Sequence, residues 1–306
     1  MKVALFGGTG FVGSYIIKEL IKEGFSPCVL IRRGSESKIL SVCEIVSGNI
    51  ENQDSIIDTI NNTEAIIYNI GIIREYASKG ITFEKLHLQG LKNCIDVAIK
   101  LGVNRFILMS ANGVKPDGTD YQKTKWHAEE LLKGSGLNWT IFQPSLIFGD
   151  PGGYGRSEFC TQLRDDMLNL PIPAPLFYTG IFPIKAGSFC LSPIHVSNVA
   201  EFFVKAIDKP ESIGHTYDLG GMKSHTWKEI IHEVAIANGQ LTWKIPVPVF
   251  GVRMVAALLD RFEWFPVTRD QITMLIEGNS VDRHYFNDFR IKAIPFKADN
   301  LTYLKN

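Results

Sequence analysis

Short apolar runs alternate with segments of helical periodicity through the first half of the chain. The apolar runs lie at residues 3–6, 26–31, 44–46, 65–68, 106–109 and 139–142, and the segments with helical spacing at 11–22, 54–60, 82–101 and 121–133. Strands that are apolar throughout are typical of a parallel sheet buried on both faces. Because parallel strands need crossover connections, the pattern predicts an α/β Rossmann fold with a doubly wound parallel sheet.

The pattern changes after Gly149. A Gly/Pro-rich loop follows, and prolines interrupt the aromatic stretch at 171–183. Strand-like alternation returns at 188–193, followed by a predicted helix at 196–207, a strand at 215–219, and a tail of helices joined by a proline-containing segment at 244–250. We therefore predict a Rossmann core of residues 1–148 plus 188–220. A smaller, mostly helical C-terminal lobe of residues 149–187 plus 221–306 would hold a substrate or a partner.

Composition and charge narrow the function classes. Lys+Arg and Asp+Glu both number 32, so no net field draws in nucleic acid. The five cysteines form no C-x-x-C pair and the seven histidines have no ligand spacing, which predicts reduced thiols and no metal site. The first strand leaves no room for a signal peptide, and the longest uncharged run is too short to span a bilayer. We expect a cytoplasmic protein, with peripheral membrane contact left open.

A glycine-rich turn carries the clearest chemical signal. Gly7, Gly10 and Gly13 form G-x-x-G-x-x-G directly after the first strand and open the first helix. Gly7 would permit the tight turn, Gly10 would let the backbone approach a diphosphate, and Gly13 would allow close packing of the helix on the strand. The free N–H groups at the helix start would then receive the phosphates, so this turn predicts a bound dinucleotide.

Two arginines indicate which dinucleotide binds. Arg32 and Arg33 follow the second strand, 19 and 20 residues after Gly13, where an NAD-selective site would place Asp or Glu. Guanidinium groups match the geometry of a 2′-phosphate. The sequence therefore favours NADP(H) over NAD(H), the alternative being two solvated surface arginines.

Further candidate cofactor contacts follow the next two strands. Asn49 and Ile50 come after the third strand and Gly71 after the fourth, at carboxyl ends where ligands of open α/β sheets bind. Asn49 would hydrogen-bond an adenine edge, and Gly71 would admit the cofactor closely. The alternative is that they are ordinary turn residues that need no ligand.

A Y-x-x-x-K pair is the candidate catalytic group. Tyr121 and Lys125 are about one helical turn apart, so their side chains share a face of the predicted helix. A nearby ammonium would lower the pKa of the phenol and make Tyr121 a proton donor or acceptor near neutral pH. Lys125 would also bond the nicotinamide ribose, and Ser110, at the tip of the fifth strand, would orient a substrate oxygen. An exposed Tyr/Lys pair is the alternative.

Several motifs together carry a family resemblance. They are GGTGFVG at 7–13, the strand-end arginines, YQKTK at 121–125, QPSLIFGD at 143–150, PIHV at 193–196 and YDLGG at 217–221. On these motifs the chain resembles the extended and atypical short-chain dehydrogenase/reductase superfamily, the NAD-dependent epimerase/dehydratase-like proteins. Through segments at 69–75, 82–87, 109–113 and 268–271 it is similar to the branch containing the NADPH-binding accessory subunit of respiratory complex I and its bacterial relatives.

This resemblance implies specific roles for residues of this chain. It implies a Ser110/Tyr121/Lys125 triad, and a homodimer formed through helices at 82–101 and 121–133. It also implies cofactor contacts from Gly7, Gly10, Phe11, Val12, Arg32, Asn49, Gly71, Lys125 and Pro144. Epimerases of the superfamily carry a longer serine-rich segment before the tyrosine, and its absence here argues against a nucleotide-sugar substrate.

Two classes of function remain, with a third as a further alternative. The first is an NADP(H)-dependent oxidoreductase acting on a small carbonyl or hydroxyl substrate. The second is a non-catalytic nucleotide-binding accessory or assembly factor of a respiratory-type, quinone-linked membrane complex, and the third is a nucleotide-sugar epimerase or dehydratase. Aromatic segments at 176–183 and 249–264 would line a pocket for a hydrophobic substrate or contact a membrane, unless they are simply the core of the small lobe. His195 is interpreted as structural.

Overall fold

The computed structural model describes residues 1–35, 41–153, 155–169, 173–259 and 268–305. Its strands are β1 (Lys2–Phe6), β2 (Ser26–Ile31), β3 (Glu44–Ser47), β4 (Ala65–Tyr68), β5 (Arg105–Met109), β6 (Asn138–Pro144), β7 (Ile147–Phe148), β8 (Ala174–Tyr178), β9 (Cys190–Leu191), β10 (Ile194–His195), β11 (His215–Leu219), β12 (His225–Thr226) and β13 (Lys244–Pro248). Its α-helices are α1 (Phe11–Lys22), α2 (Gln53–Ile60), α3 (Gly90–Leu101), α4 (Asp120–Lys133), α5 (Phe159–Leu163), α6 (Val196–Ile207), α7 (Trp227–Ala237), α8 (Val249–Leu259) and α9 (Arg269–Glu277).

A seven-stranded sheet forms the centre of the first compact unit, which comprises Met1–Pro144, Val196–Leu219 and Tyr285–Lys292. The strand order is β11-β6-β5-β4-β1-β2-β3, and every neighbouring pair is parallel. The order reverses between β1 and β4, so the carboxyl end of β1 lies at a topological switch point, where open α/β sheets bind ligands. The doubly wound α/β fold predicted from the sequence is confirmed.

Helices cover both faces of this sheet because side chains alternate along each strand. Ala4 and Phe6 of β1 pack into a cluster with Ile56 of α2 and Leu91 of α3, and α3 in turn contacts α4. The helices α1 and α6 pack against each other elsewhere in the same unit. Burying each large apolar side chain contributes about 1.5–3 kcal/mol, so the apolar runs determine where the strands form.

The second unit comprises Ser145–His195, Gly220–His284 and Ala293–Asn306. Its described residues form helices α5, α7, α8 and α9, the parallel strand pairs β7–β10 and β8–β13, and the antiparallel pair β9–β12. Trp227 lies at its core, stacks against Phe177 and Phe189, and donates its Nε1–H to the Pro175 carbonyl at 2.9 Å. The lobe predicted to be mostly helical therefore also contains paired strands.

The unit boundaries differ by a few residues from those drawn from the sequence. Residues 145–148 and 188–195 belong to the second unit, because β7 pairs with β10 within it. The segment at 285–292 belongs to the first unit, where Phe289 packs against Phe142 and Phe202. Of the predicted aromatic segment at 249–264, residues 260–264 lie outside the described residues.

Two further findings concern the described part of the chain as a whole. No helix there is long and apolar enough to cross a lipid bilayer. No group of three or more His, Cys, Asp or Glu side chains among the same residues could hold a metal ion.

Candidate functional site

The glycine turn joins β1 to α1 through tight backbone contacts. Gly7 has a φ of +94°, which favours glycine, and a Cβ there would lie 2.7 Å from the Asn69 carbonyl oxygen at the end of β4. A Cβ on Gly13 would clash with the Gly7 carbonyl oxygen. A Cβ on Gly10 would meet only that same oxygen, at 3.4 Å. Gly7 and Gly13 therefore serve packing, whereas Gly10 leaves space above the turn.

The start of α1 presents unpaired backbone amides. Gly10 is the N-cap, and Ser14 donates the first intrahelical hydrogen bond to its carbonyl at 3.0 Å. The amides of Phe11, Val12 and Gly13 consequently have no intrahelical acceptor. Within the described chain no side chain caps this helix, and its first turn carries no acidic residue. A helix start with free N–H groups and a positive dipole end fits the diphosphate of a dinucleotide.

Arg32 and Arg33 lie beside this turn. Both side chains are exposed directly after β2, the strand that pairs with β1 in the register Phe6 to Leu30. The carboxyl ends of these two strands are therefore adjacent. A guanidinium at this position is suited to a phosphate on the adenine-side ribose.

The candidate residues after β3 take part in local structure. The Oδ1 of Asn49 accepts the N–H groups of Glu51 and Asn52, each at 2.9 Å, and so shapes the turn into α2. An adenine contact from Asn49 would thus come from its amide nitrogen. Ile50 is buried in the core, and its carbonyl accepts a hydrogen bond from the Nδ2 of Asn93 at 3.1 Å.

Lys125 lies buried at the carboxyl ends of β4 and β5. Its Nζ donates to the Met109 carbonyl oxygen at 3.0 Å and lies 3.2 Å from the position that a Cβ would take at Gly71. The absence of a side chain at Gly71 therefore leaves room for the ammonium. Burial lowers the pKa of Lys125 to about 8. Pro144, another candidate contact, is the buried last residue of β6, and its carbonyl accepts the Asn112 N–H at 3.0 Å.

Tyr121 stands one turn before Lys125 on α4. Its ring packs edge-on against Phe83 and His87, with centroids 5.6 and 5.4 Å apart. Burial raises the pKa of Tyr121 to about 12. The expectation that this pKa is lowered is wrong, because burial disfavours the phenolate and the Lys125 ammonium is directed at the Met109 carbonyl.

Ser110, the third candidate catalytic residue, belongs to a buried polar network. Its Oγ donates to Oε1 of Glu129 at 2.5 Å, and the Nε2 of Gln143 donates to the same oxygen at 2.6 Å. Lys133 lies 3.4 Å from the other carboxylate oxygen. Ser110 and Glu129 are 3% and 2% exposed, so the serine hydrogen is held inside the protein. Sequence reasoning missed Glu129 and Gln143, because Glu129 and Lys133 resemble an ordinary i,i+4 surface pair.

Comparison with protein families fits this geometry. A family profile described as NAD(P)H-binding matches residues 7–166, from the glycine turn through α4 and beyond. The chain belongs to this NAD(P)H-binding family. This match, together with its sequence relatives, places it with the atypical short-chain dehydrogenase/reductase and epimerase proteins.

The proteins that this chain is similar to carry names of different functions. It is 23% identical to the mitochondrial NADH-ubiquinone oxidoreductase 40 kDa subunit of Neurospora crassa, over 98% of this chain and 77% of that protein. It is 25% identical to a ceramide reductase of Caulobacter vibrioides, over 84% of this chain and 77% of that protein. A crystal structure of a nucleoside-diphosphate-sugar epimerase from Pseudomonas aeruginosa superposes with a TM-score of 0.74 at 15% identity, covering 99% of this chain and 96% of that one. The last likeness shows the fold alone.

One more buried polar residue, His87, lies beside the candidate site. His87 lies in a π-helical turn, Glu84–Gln89, just before α3. Its Nε2 accepts the Ile72 N–H at 3.2 Å, and its Nδ1 lies 3.2 Å from Oγ1 of Thr124. A ring that accepts at Nε2 carries its proton on Nδ1 and is neutral. The ring therefore joins the loop after β4 to the helix that carries Tyr121.

We predict that His87 makes the fold sensitive to acid. Burial, and after it the Lys125 ammonium, lowers the pKa of His87 to about 2, whereas an unfolded histidine titrates near 6.5. Between these values the unfolded chain binds more protons, so the free energy of unfolding falls as pH is lowered through this window. Urea unfolding between pH 4 and 7 should show a shallower pH dependence for His87→Gln than for the wild type. The exposed His127→Gln is the control, and equal slopes for all three proteins would contradict the assignment.

Proposed function

We propose that the chain is an NADP(H)-dependent oxidoreductase that interconverts a small carbonyl compound and its alcohol. The observation that carries the proposal is the position of Lys125. Its buried ammonium lies at the carboxyl ends of β4 and β5, against Gly71 and one helical turn from Tyr121. Near the topological switch point of the sheet, a lysine and a tyrosine on one helix face can act on a ligand held at the strand ends.

The residues present support proton transfer in the direction of reduction. A bound nicotinamide supplies the hydride. A phenol with a pKa of about 12 keeps its proton at neutral pH, so Tyr121 donates it to the substrate oxygen as the alcohol forms. Lys125, with a pKa of about 8, is mostly charged at pH 7 and stabilises the resulting phenolate. Ser110 can hold the substrate oxygen as a donor only after its hydroxyl rotates away from Glu129.

Preference for NADP(H) is proposed from Arg32 and Arg33. Each charge-assisted bond to a 2′-phosphate contributes about 1.5–3 kcal/mol, so Arg32→Asp/Arg33→Asp should weaken NADPH binding relative to NADH by roughly 10- to 100-fold. Calorimetric titration of both cofactors measures this ratio. Lys100→Asp, an exposed charge reversal on α3, is the control. An unchanged ratio in the double variant would leave the two arginines as surface residues only.

A second candidate is a nucleotide-binding accessory or assembly protein in which the cofactor stabilises the fold without turnover. The hydrogen bond from Ser110 to Glu129 favours this accessory role, because the serine hydroxyl is then not free to donate to a substrate. The name of the Neurospora crassa relative, a subunit of a respiratory complex, points the same way. A nucleotide-sugar epimerase has the same fold, but the fold alone does not support that function, and the single serine after β5 argues against it.

A substrate screen separates these candidates. NADPH oxidation is measured with ketones, aldehydes and quinones, while mass spectrometry identifies small molecules that copurify with the native protein. The ceramide reductase relative makes long-chain carbonyl compounds a suitable first set. Turnover that is lost in Tyr121→Phe supports the oxidoreductase. Tight NADPH binding with no turnover of any compound would favour the accessory role.

A further inference from the structure

Two segments of the second unit expose large apolar side chains, one before the start of the β8–β13 pair and one after the end of β8. Ile184 is 88% exposed in the loop after β8, and Leu241 and Trp243 are 99% and 81% exposed just before β13. The turn Pro183–Lys185 contacts both β8 and β13, so both exposed segments flank one strand pair. We define the apolar face as Ile181, Phe182, Ile184, Leu241, Trp243 and Ile245. Single exposed apolar residues are common, but six of them around one strand pair mark an interaction surface.

The backbone beneath the apolar face is well ordered by hydrogen bonds. Ala174 donates to the Trp243 carbonyl at 2.7 Å, where the pairing of β8 with β13 begins. Gly187 donates to the Phe177 carbonyl at 2.8 Å and closes the loop that carries the exposed side chains. Trp227 packs under Phe177. These hydrogen bonds and the packing of Trp227 hold the strand pair in place, and the apolar face is exposed to solvent.

Prolines protect the outer edge of β13 from pairing with another strand. Since the Trp243 carbonyl faces β8, the odd-numbered residues of β13 turn their backbone groups toward β8 and the even-numbered ones turn them outward. Pro246 and Pro248 occupy outward positions and have no N–H to donate. This edge is unsuited to adding a peptide strand or a second copy of β13. The occupant is instead one that contacts side chains.

The charge around the apolar face selects the occupant. In residues 173–187 and 240–254, all of which are described, the charged residues are Lys185, Lys244 and Arg253, and none is acidic. A surface of aromatic and aliphatic side chains whose own two segments carry only basic charges matches the boundary between the headgroups and acyl chains of an anionic membrane. We infer that the apolar face docks this protein onto an anionic phospholipid bilayer, with Phe182 and Trp243 entering the interface and Lys185 against lipid phosphates.

A cavity next to the apolar face extends the apolar surface. Val247, Pro248, Gly251 and Val252 line an open hollow of about 400 Å³ between β13 and α8. The described residues that line it are apolar or glycine, and it begins where β13 ends. Such a hollow can receive the end of an acyl chain from the bilayer. The membrane assignment does not depend on oxidoreductase activity, and neither does its test.

Flotation with vesicles tests the assignment on the full-length chain. We expect the wild type to float with phosphatidylcholine/phosphatidylglycerol 3:1 vesicles at low salt, and to bind pure phosphatidylcholine at least about fivefold more weakly. Phe182→Ser/Trp243→Ser should reduce binding to the anionic vesicles at least about tenfold, and Lys185→Glu should also weaken it. Ile99→Ser, which changes an exposed apolar residue on α3, is the matched control and should bind like the wild type. NADPH binding reports that each variant is folded.

A spectroscopic readout locates the contact. Brominated lipids should quench the fluorescence of the wild type, and Trp243→Phe should remove most of that quenching while still floating with the vesicles. Absence of wild-type flotation with anionic vesicles, or equal flotation of Phe182→Ser/Trp243→Ser, would overturn the assignment. Self-association in sedimentation velocity, lost in the same double variant and without vesicle binding, would likewise overturn it and assign the face to a second copy of the chain.

Discussion

Replacing Gly10 with valine should weaken NADPH binding by at least about 100-fold while leaving the folded structure intact, because a diphosphate forms several charge-assisted bonds of about 1.5–3 kcal/mol each. Gly10 has a φ of −74°, which valine adopts readily, and a Cβ there meets only the Gly7 carbonyl oxygen at 3.4 Å. The side chain would instead occupy the space above the amides of Phe11 and Val12. The valine would therefore block the approach of the diphosphate without disturbing the packing of α1 on β1.

Gly13→Val provides the contrast. A Cβ at Gly13 would clash with the Gly7 carbonyl oxygen, which is backbone and cannot move aside. We expect this variant to lose both cofactor binding and thermal stability, whereas Gly10→Val loses binding alone. Calorimetric titration with NADPH and scanning calorimetry measure the two effects separately. NADPH affinity of Gly10→Val equal to that of the wild type would mean that the phosphates do not lie over this turn.

The sequence predicts the bounds of several elements of the first unit correctly. The bounds of α1, β2, β4, α6 and β11 agree with those expected from the apolar pattern. In these segments local propensity and burial act in the same direction, so periodicity alone locates them. Arg105 shows where the pattern stops being sufficient. It extends β5 by one residue because its guanidinium is buried against the Asn138 and Ala206 carbonyls, a tertiary contact invisible to periodicity.

The second unit was harder to predict because its strands contain prolines. The segment at 244–250 was expected to be a linker, yet most of it forms β13, and its partner β8 was not anticipated. Pro175, Pro246 and Pro248 normally argue against strands, but a two-stranded ribbon leaves one edge of each strand free of ladder bonds. The helix expected from residue 82 begins as a π-helical turn, Glu84–Gln89, which places His87 against the loop after β4.

In the candidate site, the spacing of residues along the sequence predicted where the side chains lie but not how deeply they are buried. The spacing of Tyr121 and Lys125 correctly places both on one face of α4, and the strand-end rule places Gly71 beside them. The predicted direction of the Tyr121 pKa shift was wrong. The shift depends on burial against Phe83 and His87, which are distant in the sequence. Desolvation is a property of the assembled fold, so motif spacing alone cannot predict it.

Removing the phenolic hydroxyl should then have a large effect on turnover. Tyr121→Phe is expected to lower kcat by roughly 10²–10⁴-fold with a carbonyl substrate found in the NADPH oxidation screen, as is typical for loss of a general acid. The Kd for NADPH should change less than about twofold, because a loss confined to the transition state affects kcat rather than binding. Stopped-flow NADPH oxidation and calorimetric titration provide the two measurements. Wild-type rates in Tyr121→Phe would remove the proposed acid.

The role of Lys125 can be tested through the pH dependence of kcat. Its pKa of about 8 means that the ammonium loses its proton as pH rises through this value, and the phenolate of Tyr121 then loses its counter-charge. We therefore expect kcat in the wild type to fall above pH 8. Lys125→Met should lower kcat at pH 7 and abolish this alkaline decline, since no ammonium remains to titrate. Lys123→Met, on the same helix and paired with Asp120, should keep both the rate and the decline. An alkaline decline that persists in Lys125→Met would assign it to another group and leave Lys125 with a packing role against Met109 and Gly71.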